Sequence, residues 1–121
     1  MQEFVFYDGK FIEKEKASLP IMTHAFLYGT GVFEGIRAYY NKEENQLYAF
    51  RVKEHFERLM RSAHVMYMEN PFTIDEYCAN LKELLKKNNY RQDVYIRPNL
   101  FKAAEKIGPG LLNNKDSYLL F

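Results

Sequence analysis

The spacing of apolar residues changes twice along this chain of 121 residues, and no other feature constrains the fold as strongly. Up to residue 50 apolar and polar residues tend to alternate, which is typical of β-strands. Between residues 52 and 85 the apolar residues recur every three or four positions, which predicts two amphipathic helices. Alternation returns from residue 94. Strands, two helices and strands again, with hairpins in place of regular β–α alternation, predict an α+β domain with a mostly antiparallel sheet.

Turn residues mark the ends of the predicted strands. Asp8 and Gly9 tolerate the positive φ angles of a tight two-residue turn and predict a first hairpin. The polar segment 41–46 predicts the connection of a second hairpin, and residues 107–110 predict a loop. The strands themselves are predicted at residues 4–7, 10–12, 33–40, 47–50, 94–101 and 117–121.

Each predicted helix has one apolar face. In the first helix this face consists of Val52, Phe56, Leu59, Met60, Ala63 and Met66. The second helix begins after Thr73, whose hydroxyl and Glu76 predict a capping box. Its apolar face consists of Ile74, Tyr77, Cys78, Leu81, Leu84 and Leu85. Because Cys78 lies in that face, we predict a core residue and not a nucleophile.

Length, charge and cysteine content exclude several functions. The chain is the size of one domain. Its 17 basic and 16 acidic residues leave a net charge of +1, too little to attract nucleic acid or an anionic membrane. A single cysteine cannot form an internal disulfide, and neither a signal peptide nor an apolar run near the ~20 residues of a membrane span is present. These features predict a cytoplasmic protein without nucleic-acid or membrane partners.

The segment HAFLYGTGVFEGIRAYY, residues 24–40, contains three glycines among aromatic residues, followed by an arginine. Its glycine spacing resembles a dinucleotide-binding fingerprint only superficially, because that motif opens a helix whose N-terminus binds the pyrophosphate. Here the glycines open a β-rich segment. We therefore do not predict a dinucleotide site.

Each of two predicted strands carries aromatic and arginine side chains two positions apart on one of its faces. Those faces carry Phe33, Gly35, Arg37 and Tyr39 in one strand and Tyr95, Arg97, Asn99 and Phe101 in the other. The opposite face of the second strand is predicted to be core, whereas neither face of the first strand is a clean core face. Aromatic walls, a planar guanidinium and a strand glycine predict a pocket for a small anionic molecule with an apolar part. A solvated sheet face with a glycine bulge explains the spacing equally well.

The three histidines do not predict a metal site. His24, His55 and His64 lack the spacing of metal ligands, and no set of cysteines joins them. We predict a solvated surface position or a hydrogen-bonded core position for each histidine.

Three motifs, in order, resemble the N-terminal domain of the branched-chain amino acid aminotransferases, which are class IV aminotransferases and fold type IV pyridoxal phosphate enzymes. The motifs are HAFLYGTGVFEGIRAY at 24–39, EHFERL at 54–59 and YIRP at 95–98. The resemblance covers nearly the whole chain. It implies that residues 1–121 are the small N-terminal domain and that the catalytic C-terminal domain lies outside this chain. The last predicted strand stops in mid-pattern at Phe121, which also predicts a fragment.

The resemblance assigns cofactor contacts. Arg58 matches the arginine that contacts the phosphate of the cofactor. At 100° per residue, however, Arg58 points about 140° away from the apolar face of its own helix. The residues alone therefore predict a surface arginine, and a cofactor role requires the polar side of the helix to face the cleft between the domains. The lysine that forms the Schiff base lies downstream in the family, so no catalytic residue is assigned in this chain.

The resemblance also assigns substrate contacts. Tyr28 and Phe33 match aromatic residues of the substrate pocket, with Tyr28 directed at the site of the partner subunit. Gly35 lies where the backbone comes close to the substrate. Tyr95 and Arg97 match residues that hold substrate carboxylates, and Arg97 suits the side-chain carboxylate when glutamate is the amino donor.

The implied function of the full protein is transfer of the amino group of leucine, isoleucine or valine to 2-oxoglutarate through pyridoxal phosphate, by a homodimer or larger homo-oligomer. The isolated chain is expected to be inactive and to bind the cofactor weakly or not at all. Two alternatives share the fold, D-amino acid aminotransferase and aminodeoxychorismate lyase. A third is a non-catalytic binding or dimerisation module.

Overall fold

The computed structural model describes residues 2–112 and 115–121. In these residues the chain forms an α+β domain with antiparallel strands, as predicted. The elements are β1 (Phe4–Tyr7), β2 (Lys10–Glu13), α1 (His24–Tyr28), β3 (Gly31–Phe33), β4 (Ile36–Asn41), β5 (Gln46–Ala49), α2 (Val52–Val65), α3 (Ile74–Asn88), β6 (Val94–Ile96), β7 (Pro98–Lys102) and β8 (Asp116–Leu120). A short 3-10 turn, Lys14–Lys16, follows β2. None of the described helices combines the length and the apolarity needed to cross a bilayer.

The strands form two sheets instead of one. Five strands pair in the order β2-β1-β8-β7-β3, and three pair in the order β5-β4-β6. The first predicted hairpin is confirmed, since Asp8 and Gly9 have φ angles of 43° and 86° between β1 and β2. The Asp8 carboxylate also accepts a hydrogen bond from Tyr118 N at 2.9 Å, which ties this turn to β8.

The prediction of continuous strands at 33–40 and 94–101 is wrong. The first strand breaks at Glu34 and Gly35, so that β3 pairs with β7 in one sheet while β4 pairs with β5 and β6 in the other. The second strand breaks at Arg97 in the same way. A hydrogen bond from Glu34 N to Pro98 O at 3.0 Å joins the two breaks. The two sheets diverge at this point, and a period of two does not reveal which sheet a residue joins.

The division of these strands changes which residues are core. Ile36 and Ala38 are fully buried, so β4 has the clean core face that the sequence did not predict. Phe101, predicted to lie on the non-core face, is also buried because it lies in β7 between β3 and β8. Helix α1 was not predicted, because five residues are too few to show a helical period. The helix ends before Gly29, which has a left-handed φ of 67°.

The two long helices are confirmed. Glu76 N donates to Thr73 Oγ1 at 3.2 Å and Thr73 N donates to Glu76 Oε2 at 3.4 Å, the predicted capping box. Phe56 of α2 and Tyr77 of α3 stack with ring centres 4.9 Å apart. Cys78 packs at the edge of this core, and partial burial raises the pKa of its thiol. The helices thus cover the sheets through an apolar layer, as their faces predicted.

Lys102 and Asp116 form an ion pair inside the domain. Lys102, at the end of β7, has a side chain 1% exposed, and its Nζ lies 2.8 Å from Asp116 Oδ1 in β8. The same Nζ donates to Tyr67 O at 3.0 Å, and Glu69 N donates to Asp116 Oδ2 at 3.3 Å. These contacts join the segment after α2 to the five-stranded sheet.

Candidate functional site

Glu34 and Arg58 form the central polar contact of the candidate site. Glu34 occupies the break between β3 and β4, and its side chain is 4% exposed, whereas that of Arg58 is 60% exposed. Arg58 Nε donates to the two carboxylate oxygens at 3.0 and 2.8 Å, and Nη2 donates to Oε1 at 2.6 Å. A buried acid thus holds an exposed guanidinium on helix α2.

His55 binds the same carboxylate. Its Nδ1 lies 2.8 Å from Glu34 Oε1, and this nitrogen carries the proton because an ionised carboxylate only accepts hydrogen bonds. Burial by itself would raise the pKa of Glu34. The hydrogen bonds from Arg58 and His55, together with the positive charge of Arg58, outweigh burial, so the pKa of Glu34 lies below its ordinary value. The contact with Glu34 also raises the pKa of Arg58.

The lowered pKa of Glu34 predicts a loss of stability in acid. A carboxyl group with a lower pKa in the folded state adds stability that is complete above its ordinary pKa of 4.5 and is lost as the pH falls through the folded pKa. Thermal midpoints of the full-length protein between about pH 6 and pH 3 should therefore fall less steeply in Glu34→Gln than in the wild type. Parallel curves would contradict this prediction.

Phe33 and Arg97 are in direct contact. The guanidinium carbon of Arg97 lies 3.7 Å from the centre of the Phe33 ring, within the range of cation–π attraction. Arg97 Nε also reaches Asn99 Oδ1 at 3.4 Å. The pair borders an open surface depression of about 290 Å³ that Val32 and Leu100 also line. The arrangement therefore joins an apolar wall to an arginine, as the pocket hypothesis expects.

Gly35 and Tyr95 form a second close pair. A Cβ atom on Gly35 would lie 2.9 Å from Tyr95 Oη and 3.0 Å from Cε2, closer than such atoms approach. Tyr95 lies in β6 opposite Arg37 in β4, and its side chain is half exposed. The glycine thus leaves room for a tyrosine ring, a requirement that the sequence did not reveal.

Tyr28 lies apart from these pairs, on α1. Its hydroxyl accepts a hydrogen bond from Gly108 N at 2.7 Å, and its ring lies 4.7 Å from that of His24. His24 is fully buried, with Nε2 donating to Gly108 O at 2.6 Å and Nδ1 bonded to Thr30 Oγ1 at 2.7 Å. Of the two environments predicted for His24, the structure has the hydrogen-bonded core position. Tyr28 and His24 together hold the loop around Gly108 against α1.

Comparison with known proteins gives the family. A family model described as amino-transferase class IV matches residues 31–121, which is three quarters of the chain. The chain belongs to the class IV aminotransferase family. The resemblance found in the three sequence motifs is therefore confirmed.

Relatives of this class IV aminotransferase chain are named as branched-chain enzymes. The probable branched-chain-amino-acid aminotransferase of Aquifex aeolicus is 45% identical over 111 residues, which are 92% of this chain and 36% of that protein. The branched-chain-amino-acid aminotransferase of Pseudomonas aeruginosa is 36% identical, over 86% of this chain and 33% of its own length. The chain thus spans about a third of these relatives.

Solved structures give the same result. The branched-chain aminotransferase from Thermoproteus uzoniensis with norvaline superposes with a TM-score of 0.92 at 34% identity, covering all of this chain and 40% of its own. The branched-chain amino acid aminotransferase from Thermobaculum terrenum in PLP-form (holo-form) superposes with a TM-score of 0.89 at 30% identity, covering 99% of this chain and 39% of its own. The fold is therefore that of the fold type IV aminotransferases.

Two residues of this class IV aminotransferase chain were missed as site candidates, Glu34 and His55. Glu34 lies between two predicted pocket residues, Phe33 and Gly35, and its side chain points away from them toward α2. His55 lies three positions before Arg58, so the two share one face of the helix. The sequence contained two signals for these residues. His55 and Arg58 are three positions apart in one predicted helix, and Glu34 is a single acidic residue in a predicted strand of apolar residues.

The residues around Arg58 fit a phosphate group such as that of the cofactor in the Thermobaculum terrenum holo-form. A surface depression of about 380 Å³ is lined by Phe50, Arg51, Glu54, His55, Arg58 and Arg61. Guanidinium groups bind phosphate oxygens through paired, charge-assisted hydrogen bonds. Nη1 of Arg58 has no hydrogen-bond partner among residues 2–112 and 115–121, so the donor needed for such a bond remains available.

Proposed function

We propose that this chain is the small N-terminal domain of a branched-chain amino acid aminotransferase, which transfers the amino group of leucine, isoleucine or valine to 2-oxoglutarate. The observation that carries the proposal is the contact of Arg97 with the ring of Phe33 at the edge of an open, mainly apolar depression. An enzyme that accepts both apolar and acidic amino acids needs such a combination.

Pyridoxal phosphate, when bound, supplies the electron sink for the reaction at the α-carbon of the amino acid. In this proposal Arg58 binds its phosphate, while Tyr95 and Arg97 bind carboxylates of the substrate. Phe33 and Tyr28 supply apolar contact to substrate side chains, with Tyr28 directed at the site of a partner subunit. Gly35 lies beside Tyr95, where the backbone comes close to the substrate.

The two kinds of substrate make opposite demands on Arg97. An arginine beside an apolar side chain needs another partner, because an unpaired buried charge is costly. The Phe33 ring supplies that partner at 3.7 Å. Cation–π attraction is weaker than a paired, charge-assisted hydrogen bond to a carboxylate. Arg97 therefore leaves the ring when a substrate presents a side-chain carboxylate and returns to it when leucine binds.

Replacing Arg97 by leucine should affect acidic and apolar substrates differently. We expect kcat/KM for glutamate to fall about tenfold to a hundredfold, because a charge-assisted hydrogen bond is lost, and kcat/KM for leucine to fall less. Steady-state kinetics of the full-length enzyme with each amino acid measure the difference. Arg91→Leu, which removes another exposed arginine outside the site, is the matched control. Equal losses with glutamate and leucine would contradict the prediction.

Partner and location follow from the same proposal. Exposed apolar side chains gather at and beside α1 and on the loop that His24 and Tyr28 hold, including Ile21, Phe26 and Ile107. We propose that another domain or subunit covers them in a homodimer or larger homo-oligomer in the cytoplasm.

The lysine that binds the cofactor covalently is proposed to lie outside residues 1–121, so we expect no transaminase activity from this chain alone.

The experiment that tests the proposed function uses the full-length protein that contains this chain. Its absorption spectrum is recorded with pyridoxal phosphate, before and after addition of leucine, D-alanine or aminodeoxychorismate. A bound-cofactor band that changes with leucine, and returns on addition of 2-oxoglutarate, supports a branched-chain aminotransferase. A change with D-alanine or aminodeoxychorismate alone assigns one of the other enzymes of this fold. A protein that binds no cofactor is instead a binding or dimerisation module.

A further inference from the structure

Glu34 is the one acidic residue that is buried among the residues the structure describes. Its side chain is almost fully excluded from solvent, and the proposed function gives it no role. Its backbone is fixed in the break between the two sheets by the hydrogen bond from Glu34 N to Pro98 O. Its carboxylate points to the polar face of α2, away from the core that the helix otherwise covers.

The contact with Glu34 restricts the guanidinium of Arg58. Nε and Nη2 both donate to the carboxylate, and the guanidinium is planar, so the direction of the third nitrogen, Nη1, is also fixed. His55 holds the same carboxylate from one helical turn away. An exposed arginine without such an anchor would sample many rotamers and would lose that freedom on binding.

We propose that Glu34 is a positioning residue for the cofactor phosphate. It holds the side chain of Arg58 so that the free Nη1 edge is directed at the phosphate before the cofactor binds. Because Glu34 lies between Phe33 and Gly35, the same residue fixes the distance between the phosphate site and the substrate pocket. This inference rests on the proposed function.

The first test is the affinity of the full-length apoprotein for pyridoxal phosphate, measured by absorption titration. Glu34→Gln should weaken this affinity about tenfold to a hundredfold, because Arg58 loses a paired, charge-assisted anchor. Pyridoxal, which lacks the phosphate, should bind the variant and the wild type equally. If both ligands lose affinity by the same factor, Glu34 acts on the whole site and the positioning role is overturned.

A double-mutant cycle tests whether Glu34 acts through Arg58. In an Arg58→Ala background, Glu34→Gln should change the affinity for pyridoxal phosphate less than twofold, since the positioned group is gone. Additive effects of the two replacements would overturn the inference. Asp116→Asn is the matched control, because it removes another carboxylate that is paired with a cation in this domain. It should lower the melting temperature without changing either affinity.

The remaining outcomes are also decisive. If Glu34→Gln does not fold, Glu34→Asp carries the same test, because it keeps the charge but shortens the side chain by one methylene group. A wild-type apoprotein that binds no pyridoxal phosphate overturns the proposed function and this inference with it. A wild type that binds the cofactor, beside a Glu34 variant that binds it equally well, overturns the positioning role alone.

Discussion

Replacing Asp116 by alanine should lower the free energy of unfolding of this domain by about 3–5 kcal/mol, the cost of leaving a buried charge without its partner. The charge is that of Lys102, whose side chain is 1% exposed and whose Nζ is paired with Asp116 Oδ1. The carbonyl of Tyr67, 3.0 Å from Nζ, would remain as a partner without charge. Native-state hydrogen exchange in the full-length protein measures the effect at the amide of Lys102, which donates to Thr30 O.

Replacement of Lys102, the other member of the ion pair, is the control for this prediction. Lys102→Met removes the charge and keeps an unbranched side chain of similar length in the core, and it leaves Asp116 with an 18% exposed side chain in partial contact with water. We expect it to cost less than Asp116→Ala, since replacing buried ion pairs by apolar residues is often neutral. Equal losses in the two variants would show that the ion pair itself, and not the stranded lysine, sets the cost.

Replacing Gly35 by alanine should separate activity from stability. The added Cβ would lie 2.9 Å from Tyr95 Oη and 3.0 Å from Cε2, so the ring must move. Because the Tyr95 side chain is half exposed and φ of Gly35 is not in the left-handed region, the cost in stability should stay below about 1 kcal/mol. A group displaced by about 1 Å in a binding site costs up to a hundredfold in rate, and we expect kcat/KM for the proposed substrate leucine to fall by about that factor.

Kinetics and thermal midpoints of the full-length enzyme measure both effects of Gly35→Ala. Lys42→Ala is the control, because Lys42 is exposed in the turn between β4 and β5, outside the candidate site. It should change neither quantity. A Gly35→Ala enzyme with unchanged kcat/KM would show that the position of Tyr95 does not matter for the reaction.

Features that depend on neighbouring residues in the chain were predictable from the sequence. The turn at Asp8 and Gly9 formed as expected because its φ angles are a local property. The capping box of Thr73 and Glu76 likewise joins residues three positions apart. The apolar faces of α2 and α3 followed from helical periodicity, and their burial was therefore predicted correctly.

The candidate site was predictable only in part. The sequence motifs named Phe33 and Arg97, and the structure brings these two side chains into contact. They did not name Glu34, because a lone acid in a strand predicts a solvated face unless its distant partner is known. The helical periodicity of α2 placed Arg58 on the surface, where it does lie. It could not reveal the ion pair between Arg58 and Glu34, because Glu34 lies in a distant segment of the chain.

The sequence by itself determined the α+β class, the two long helices, the first hairpin and, through its motifs, the family. These depend on periods, turns and spacings within short segments. Only the tertiary structure decided where the strands break, which places Glu34 and Arg97 between two diverging sheets. It also decided that Lys102 is buried against Asp116 and that Gly35 makes room for Tyr95. Each of these depends on contacts between segments far apart in the chain, whose approach is set by the packing of whole sheets and helices and by no local pattern of residues.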